Sequence, residues 1–210
     1  MSRTHFVSVI QNCYNEGWSP ATSGNYSFRD EKGQIHITPS GLHKGRLTEQ
    51  DLLVMDLSGV LLHIPFHDPL RYRPSAETKL HLQIYAQCAD ARAVLHVHSP
   101  YATLISLVTQ KNQISISQLE LQKIFPSIGT HDTTVCIPVV DNHQEMDALS
   151  EALSPYFQQP MQIPAYLIRG HGLYTWADSI DQAFYQIEAI EAMCRITLQY
   201  QQLKTLGIQL

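Results

Sequence analysis

Short apolar runs of strand length alternate along this chain with stretches of helical periodicity. We predict strands over 34–38, 52–57, 93–98, 135–140 and 165–168, and helices over 4–16, 75–87, 101–108 and 145–153. The clearest helix follows Asp178 or Ser179, because apolar residues recur at helical spacing from Ile180 to Leu198. Strands mixed with helices at this density predict one α/β or α+β domain, in which helices cover a sheet.

The composition narrows the class of protein. Of the 210 residues, 44% are hydrophobic and 16% are charged, which indicates one ordered domain over residues 1–210. The formal net charge is −5 and there is no basic block, so we expect no nucleic-acid partner. No apolar run approaches the roughly 18 residues of a membrane span, and no glycine-rich nucleotide-binding motif is present. We therefore expect neither a membrane nor a nucleotide as a partner.

The four cysteines lie far apart and form no CxxC pair; they are Cys13, Cys88, Cys136 and Cys194. The first residues of the chain lack the long apolar core of a signal peptide. We interpret the cysteines as small core residues with reduced thiols, and we expect a cytoplasmic protein.

Histidine is unusually frequent, with 11 among 210 residues. His96 and His98 stand two positions apart at the end of a predicted strand, so their side chains share a face of the sheet. Two imidazoles placed in this way suit neighbouring ligands of one metal ion. The alternative is a pair of histidines on a polar sheet face.

A third ligand would complete a tetrahedral zinc site that keeps one position open. His171 is the best candidate, because it lies between Gly170 and Gly172 directly after a predicted strand, where glycines permit a close approach. His131, His143 and His67 compete but lack this context. We predict a site for one metal ion with three histidine ligands, which suits Zn²⁺ and would also accept Fe²⁺, Ni²⁺ or Co²⁺.

Two polar loops, 22–27 and 38–41, have the hydroxyl, amide and glycine backbone groups that bind an anion such as phosphate. Ser75, at a predicted helix start, would add N–H donors. Ordinary turn chemistry is the alternative explanation for each loop taken alone.

Acid/base catalysis beside a metal requires a proton carrier, and Glu77 and Glu120 are the candidates. Glu120 has apolar neighbours in the segment 117–123, so we expect burial to raise the pKa of its carboxyl toward neutrality. The alternative is an exposed or ion-paired glutamate.

Taken together, these motifs resemble the class II aldolase family, whose zinc enzymes include members that convert fuculose phosphate and ribulose phosphate. The resemblance runs from about Gly24 to the last helix. It rests on Gly24-Asn25-Tyr26-Ser27, Thr38-Pro39-Ser40-Gly41, Ser75-Ala76-Glu77, His96-Val97-His98 and Gly170-His171-Gly172. It implies a three-layer α/β/α domain with a central, largely antiparallel sheet. It also implies one Zn²⁺ per subunit and a homotetramer with active sites at subunit contacts.

Within the family, three stretches resemble the sugar-phosphate dehydratases: 40–47, 119–123 and 170–176. In those dehydratases a glutamate three residues before a lysine supplies the acid/base, and it matches Glu120. In the aldolases the acid/base follows paired serines and matches Glu77. Thr78 stands where some dehydratases have a pocket cysteine, and Ala177 replaces an expected glycine.

The resemblance therefore implies a lyase that removes water from a sugar phosphate, with Glu120 as the catalytic residue and Glu77 as a second acid/base candidate. It implies that the phosphate is held by Asn25, Ser40, Gly41 and Ser75. The nearest alternative is an aldolase or epimerase that uses the same metal. A non-catalytic metal-binding protein, or an α/β domain without metal, would be of a different class.

Overall fold

The structure is a computed structural model that describes residues 2–159 and 161–207. It contains five α-helices: α1 (Arg3–Asn15), α2 (Thr78–Gln87), α3 (Pro100–Val108), α4 (Met146–Phe157) and α5 (Ile180–Thr205). Its nine strands are β1 (Asn25–Arg29), β2 (Ile35–Ile37), β3 (Leu53–Met55), β4 (Leu61–His63), β5 (Ala93–Val97), β6 (Gln113–Ile116), β7 (Val135–Val140), β8 (Ala165–Ile168) and β9 (Gly172–Ala177).

All nine strands belong to one sheet, in the order β4-β3-β2-β1-β5-β9-β8-β7-β6. Neighbouring strands are antiparallel except for β7 and β8, which pair in parallel through Val139 with Leu167 and Val140 with Ile168. This confirms the expected largely antiparallel central sheet. The strands β5 and β9 pair from Ala93 with Ala177 to Val97 with Leu173, near the middle of the sheet.

Helices cover both faces of this sheet. Leu95 and Val97 of β5 point into a core shared with α1, α3 and α5, whereas Val94 points into a second core with α2 and α4. Alternate residues of one strand thus feed two separate cores, as the pleat requires. The arrangement confirms the expected three-layer α/β/α class.

The last helix follows its sequence signals closely. Ser179 is the N-cap of α5, and its side chain accepts a hydrogen bond from Gln182 N. The buried face of α5 includes Ala183, Ile187 and Ile190, at the spacing that predicted it. Although α5 has 26 residues, no helix within 2–159 and 161–207 is both long and apolar enough to cross a membrane.

Strand β1 contradicts the prediction that 22–27 is a loop. Its polar residues are buried because they find partners: Ser27 Oγ lies 2.8 Å from His81 Nδ1 and 2.9 Å from Tyr85 Oη, both on α2. Polar residues on an inward face remove the alternation by which a strand is recognised. The start of α2 was also predicted too early, since the helix begins at Thr78 rather than at Ser75.

The cysteine interpretation is confirmed for two residues and partly wrong for two. All four cysteines are free. Cys13 and Cys194 are fully buried, and burial raises the pKa of the Cys13 thiol to about 12. Cys88 and Cys136 are only half-buried, so they are not core residues.

Candidate active site

The pairing of β5 with β9 brings the three predicted histidines together. His96 is the fourth residue of β5, His98 follows the end of that strand, and His171 directly precedes β9. His96 Nε2 lies 3.1 Å from His98 Nε2, and His98 Nε2 lies 3.1 Å from His171 Nε2. Residues from distant parts of the chain therefore present their ring nitrogens to one point.

The arrangement of these nitrogen atoms fits a metal ion. Zn–N bonds of about 2.0–2.1 Å in a tetrahedron place neighbouring ligand atoms about 3.3 Å apart, close to the 3.1 Å separations of the imidazole nitrogens. A carboxylate oxygen of Glu77 completes a group whose four ligand atoms all lie within 4.8 Å of one another. Three imidazoles and one carboxylate are a donor set that zinc accepts.

The His96 ring is fixed by its surroundings. Its Nδ1 donates a hydrogen bond of 3.0 Å to the backbone carbonyl of Leu173. Because Nδ1 faces this carbonyl, Nε2 is the ring nitrogen that faces the other histidines. The ring also stacks on Tyr174, with the centroids 4.0 Å apart.

His98 is held in its neutral form. Burial lowers the pKa of its imidazole to about 3, and the neighbouring His96 and His171 add to this effect. A neutral imidazole has a free lone pair, which metal ligation requires.

Glu77 precedes α2 and reaches into the histidine cluster. Its Oε1 lies 3.0 Å from His171 Nε2 and 3.3 Å from His96 Nε2. Burial by itself would raise the pKa of this carboxyl, but charge interactions and hydrogen bonds with His96 and His171 lower it well below its usual range. Glu77 is therefore an ionised carboxylate within the cluster, able to contact a bound cation.

Gly172 permits the close approach of β9 to β5. A Cβ atom at this position would lie 2.2 Å from the backbone oxygen of Val97 and 3.1 Å from Cε1 of His96. No side chain fits there without displacing backbone. Gly170, on the other side of His171, has a φ of +66°, which favours glycine. The two glycines that flank His171 are thus required for different physical reasons: Gly172 for close strand approach and Gly170 for its backbone conformation.

Asn25 lies beside the histidines. It pairs with His96 across the β1–β5 ladder, so the two side chains share a face of the sheet. Thr38 Oγ1 donates a hydrogen bond of 3.1 Å to Asn25 Oδ1, which leaves the amide NH₂ group of Asn25 to donate to a ligand.

The other three residues expected to bind phosphate lie in two neighbouring loops. Ser40 N donates to the backbone oxygen of Arg73 at 2.9 Å, which joins the loop after β2 to the segment before α2. Gly41, in the first of these loops, has a φ of +75°. Ser75, in the second, accepts a hydrogen bond from Glu77 N at 3.3 Å.

The structure places Glu120 outside this cluster. Its side chain is 67% exposed and forms ion pairs with Lys123 Nζ at 2.6 Å and His131 Nδ1 at 3.0 Å. The hydrogen bond and charge of Lys123, with a smaller contribution from His131, lower the pKa of this carboxyl. The expectation that burial would raise it is wrong, because the apolar neighbours of Glu120 in sequence do not cover its side chain.

The competing histidines also lie elsewhere. His131 pairs with Glu120, and His67 and His143 are exposed. Sequence reasoning missed Lys44, whose side chain is buried. It also missed the stacking of Tyr174 on His96. The pattern of apolar residues in the sequence does not reveal such contacts for a lysine in a polar loop or a tyrosine in a strand.

The chain matches the family model described as class II aldolase and adducin N-terminal domain over residues 4–198. It belongs to that family.

Several curated relatives that match most of the chain have the name methylthioribulose-1-phosphate dehydratase. The protein of this name from Azotobacter vinelandii is 43% identical over 178 residues, which cover 85% of this chain and 84% of the relative. The one from Hahella chejuensis is 40% identical over 193 residues, covering 91% and 90%. Among solved structures, the fold is similar to that of l-fuculose-1-phosphate aldolase from Thermus thermophilus. The TM-score is 0.76 at 24% identity, over 98% of this chain and 96% of the other.

Proposed function

We propose that this protein is a hydro-lyase, methylthioribulose-1-phosphate dehydratase. It converts 5-methylthioribulose 1-phosphate into 2,3-diketo-5-methylthiopentyl 1-phosphate and water, a step of methionine salvage. The observation that carries the proposal is the 43% identity, over 85% of this chain, to a curated dehydratase of that name. The cluster of His96, His98, His171 and Glu77 is suited to the metal-assisted chemistry that this reaction needs.

We propose one Zn²⁺ per chain, held by His96, His98 and His171. When bound, zinc acts as a Lewis acid that polarises a carbonyl group and makes the neighbouring C–H acidic. The C2 carbonyl of the substrate would be the group that the ion polarises. The neutral form of His98 and the convergence of the three Nε2 atoms support their assignment as ligands.

The reaction then needs two proton transfers. A base removes the proton on C3, and an acid protonates the C4 hydroxyl, which leaves as water. The resulting enol tautomerises to the diketone. We assign the acid/base role to Glu120, with Glu77 as the second candidate. Because Glu120 lies outside the histidine cluster of its own chain, we further propose that a neighbouring copy of the chain contributes it.

We therefore also propose a homotetramer in which neighbouring subunits share active sites. We also propose that residues 1–210 form a single zinc-dependent domain of each subunit, which the packing of both cores on one sheet supports. The four free cysteines support a reducing compartment, the cytoplasm.

The phosphate end of the substrate is assigned to Asn25, Ser40, Gly41 and Ser75. The free amide NH₂ group of Asn25 supports this assignment, as does the pairing of Asn25 with His96. A phosphate held there would keep C3 and C4 in a fixed position relative to the histidines.

Glu77 favours a second candidate function, an aldolase or epimerase acting on a sugar phosphate such as fuculose or ribulose phosphate. Its carboxylate contacts His96 and His171 directly, where an aldolase of this family has its acid/base. Such an enzyme would break or remake the C3–C4 bond and would not remove water.

Comparing Glu77→Gln with Glu120→Gln tests the choice between the two functions. The dehydratase proposal predicts that Glu120→Gln abolishes dehydration of 5-methylthioribulose 1-phosphate while the protein keeps its zinc. Zinc content must be measured on both variants, because Glu77 touches two of the histidines. Selective loss of activity in zinc-loaded Glu77→Gln, with Glu120→Gln fully active, would contradict the proposal.

A further inference from the structure

Lys44 is a buried lysine that is not among the residues assigned to the proposed reaction. The residue is 1% exposed and begins a short 3₁₀ turn, Lys44–Arg46, after β2. Its Nζ donates hydrogen bonds of 3.0 Å to the backbone oxygens of Thr22 and Leu42. These two carbonyls belong to different loops, so one ammonium group joins them.

In the absence of a ligand, burying this ammonium group lowers the stability of the folded protein. Removing an ammonium group from water is unfavourable unless a carboxylate compensates its charge. Within the described part of the chain, Lys44 has no carboxylate partner at ion-pair distance, only neutral carbonyls. Burial lowers its pKa to about 8, although Glu77 acts in the opposite direction. A methionine would fill the same space without this cost, so a functional reason is needed.

The position of Lys44 supplies such a reason. Thr22 lies three residues before Asn25, and Leu42 directly follows Ser40 and Gly41. The ammonium therefore ties the loop that leads into Asn25 to the loop that carries Ser40 and Gly41.

The proposed phosphate ligands themselves are all neutral. Asn25, Ser40, Gly41 and Ser75 can donate hydrogen bonds but bring no positive charge to a phosphate dianion. An ammonium group has three N–H donors, and the two carbonyls occupy two of them. One donor and a full positive charge remain.

We infer that Lys44 is a positioning residue for the phosphate end of the substrate, which holds the loops 19–24 and 38–43 together and supplies the positive charge that their neutral donors lack. This inference rests on the proposed function, because it takes the phosphate site from it.

Two variants of the zinc-loaded protein separate the two parts of this role. Lys44→Gln keeps an NH₂ group that can donate to a carbonyl but removes the charge. Lys44→Met removes both the donors and the charge. Lys32→Met is a matched control, because Lys32 is an exposed lysine at the opposite end of the hairpin formed by β1 and β2.

The probe is inorganic phosphate, with its affinity measured by calorimetry. Hydrogen exchange of the loops 19–24 and 38–43 reports on their order. We expect Lys44→Gln to weaken phosphate binding about tenfold or more while the loops exchange as in the unmodified protein. Lys44→Met should weaken binding at least as much and also speed up exchange in both loops. Lys32→Met should change neither quantity.

Phosphate affinity within twofold of the unmodified protein in folded, zinc-loaded Lys44→Gln would overturn the inference, as would the absence of phosphate binding by the unmodified protein. If Lys44→Met fails to fold, Lys44→Gln alone decides the question. No turnover enters this test, so its failure differs from failure of the proposed function. A protein that binds phosphate through Lys44 but does not dehydrate 5-methylthioribulose 1-phosphate would keep the inference and refute the dehydratase assignment.

Discussion

The imidazole of His96 lies flat against the phenol ring of Tyr174, with ring centroids 4.0 Å apart and planes inclined by 15°. Tyr166 stacks on the same tyrosine, at 4.8 Å and 16°. Because β5, β9 and β8 are neighbours, these three rings form a row across one face of the sheet. The row and the carbonyl of Leu173 fix the orientation of His96.

This support predicts how Tyr174 influences metal affinity. Tyr174→Leu should weaken zinc binding about tenfold, since groups that orient a metal ligand typically contribute about 10- to 100-fold. Tyr174→Phe keeps the stacking surface and should bind zinc as the unmodified protein does. The Tyr174 hydroxyl has no hydrogen-bond partner among residues 2–159 and 161–207, so its removal should not lower stability. Competition titration with a chromophoric chelator measures both affinities; equal weakening in the two variants would show that the hydroxyl, not the stacking, matters.

Gly172→Ala should disturb the histidine cluster by displacing the backbone of the neighbouring strand. The added methyl group would meet the Val97 oxygen at 2.2 Å, so β5 and β9 must separate next to His96. We expect a loss of about 2 kcal/mol or more in the free energy of unfolding, together with reduced zinc content. Gly129→Ala is the control, because nothing lies within 4 Å of the position of its Cβ. Denaturant unfolding and elemental analysis check both variants. A Gly172→Ala protein with unchanged stability and zinc content would contradict this account of the glycine.

Sharing of active sites predicts complementation between two inactive variants. His98→Ala lacks a metal ligand and Glu120→Gln lacks the proposed acid/base. If each site takes its histidines from one chain and Glu120 from its neighbour, random mixed assemblies contain intact sites. We expect about a quarter of the unmodified activity from an equal mixture, since each half of a site is intact in half of the chains. The assay is dehydration after co-refolding; a mixture as inactive as its components would rule out a shared Glu120.

His81 predicts an acid-dependent loss of stability. Burial, with a smaller contribution from His96, lowers its pKa from 6.5 to about 3. Between these values the unfolded chain binds a proton that the folded chain excludes, so stability rises with pH across this window and levels off above about 6.5. Each pH unit below 6.5 then lowers the free energy of unfolding by about 1.4 kcal/mol.

The variant His81→Gln cannot take up that proton. Urea unfolding of chelator-treated samples at about pH 7 and about pH 5 should show the unmodified protein losing about 2 kcal/mol more than the variant. The other buried histidines with lowered pKa, His36 and His98, are present in both proteins and cancel in this difference. Equal losses in the two proteins would mean that His81 is protonated in the folded state.

The sequence predicted the parts of the site that depend on local geometry. Alternation along a strand predicts that the side chains of His96 and His98 share a face, and the flanking glycines singled out His171 as the third ligand. The same local reasoning gave most helices and strands, and the family resemblance gave the layered, largely antiparallel sheet.

Features that depend on distant contacts could not be predicted in this way. Strand β1 is buried with polar residues because α2 supplies His81 and Tyr85 as partners, 54 and 58 positions along the chain from Ser27. Glu120 was expected to be buried because of its neighbours in sequence, but the neighbours that decide its pKa are Lys123 and His131. The buried ammonium of Lys44 donates to two carbonyls, and their positions are defined only in the folded chain.

The central claim is tested most directly by incubating the purified protein, with its zinc content measured, with 5-methylthioribulose 1-phosphate and following the diketone product. The account predicts rapid product formation with about one zinc per chain, and loss of both zinc and activity in His98→Ala. A fully zinc-loaded protein that forms no diketone, while it cleaves or epimerises fuculose or ribulose phosphate, would contradict the dehydratase assignment.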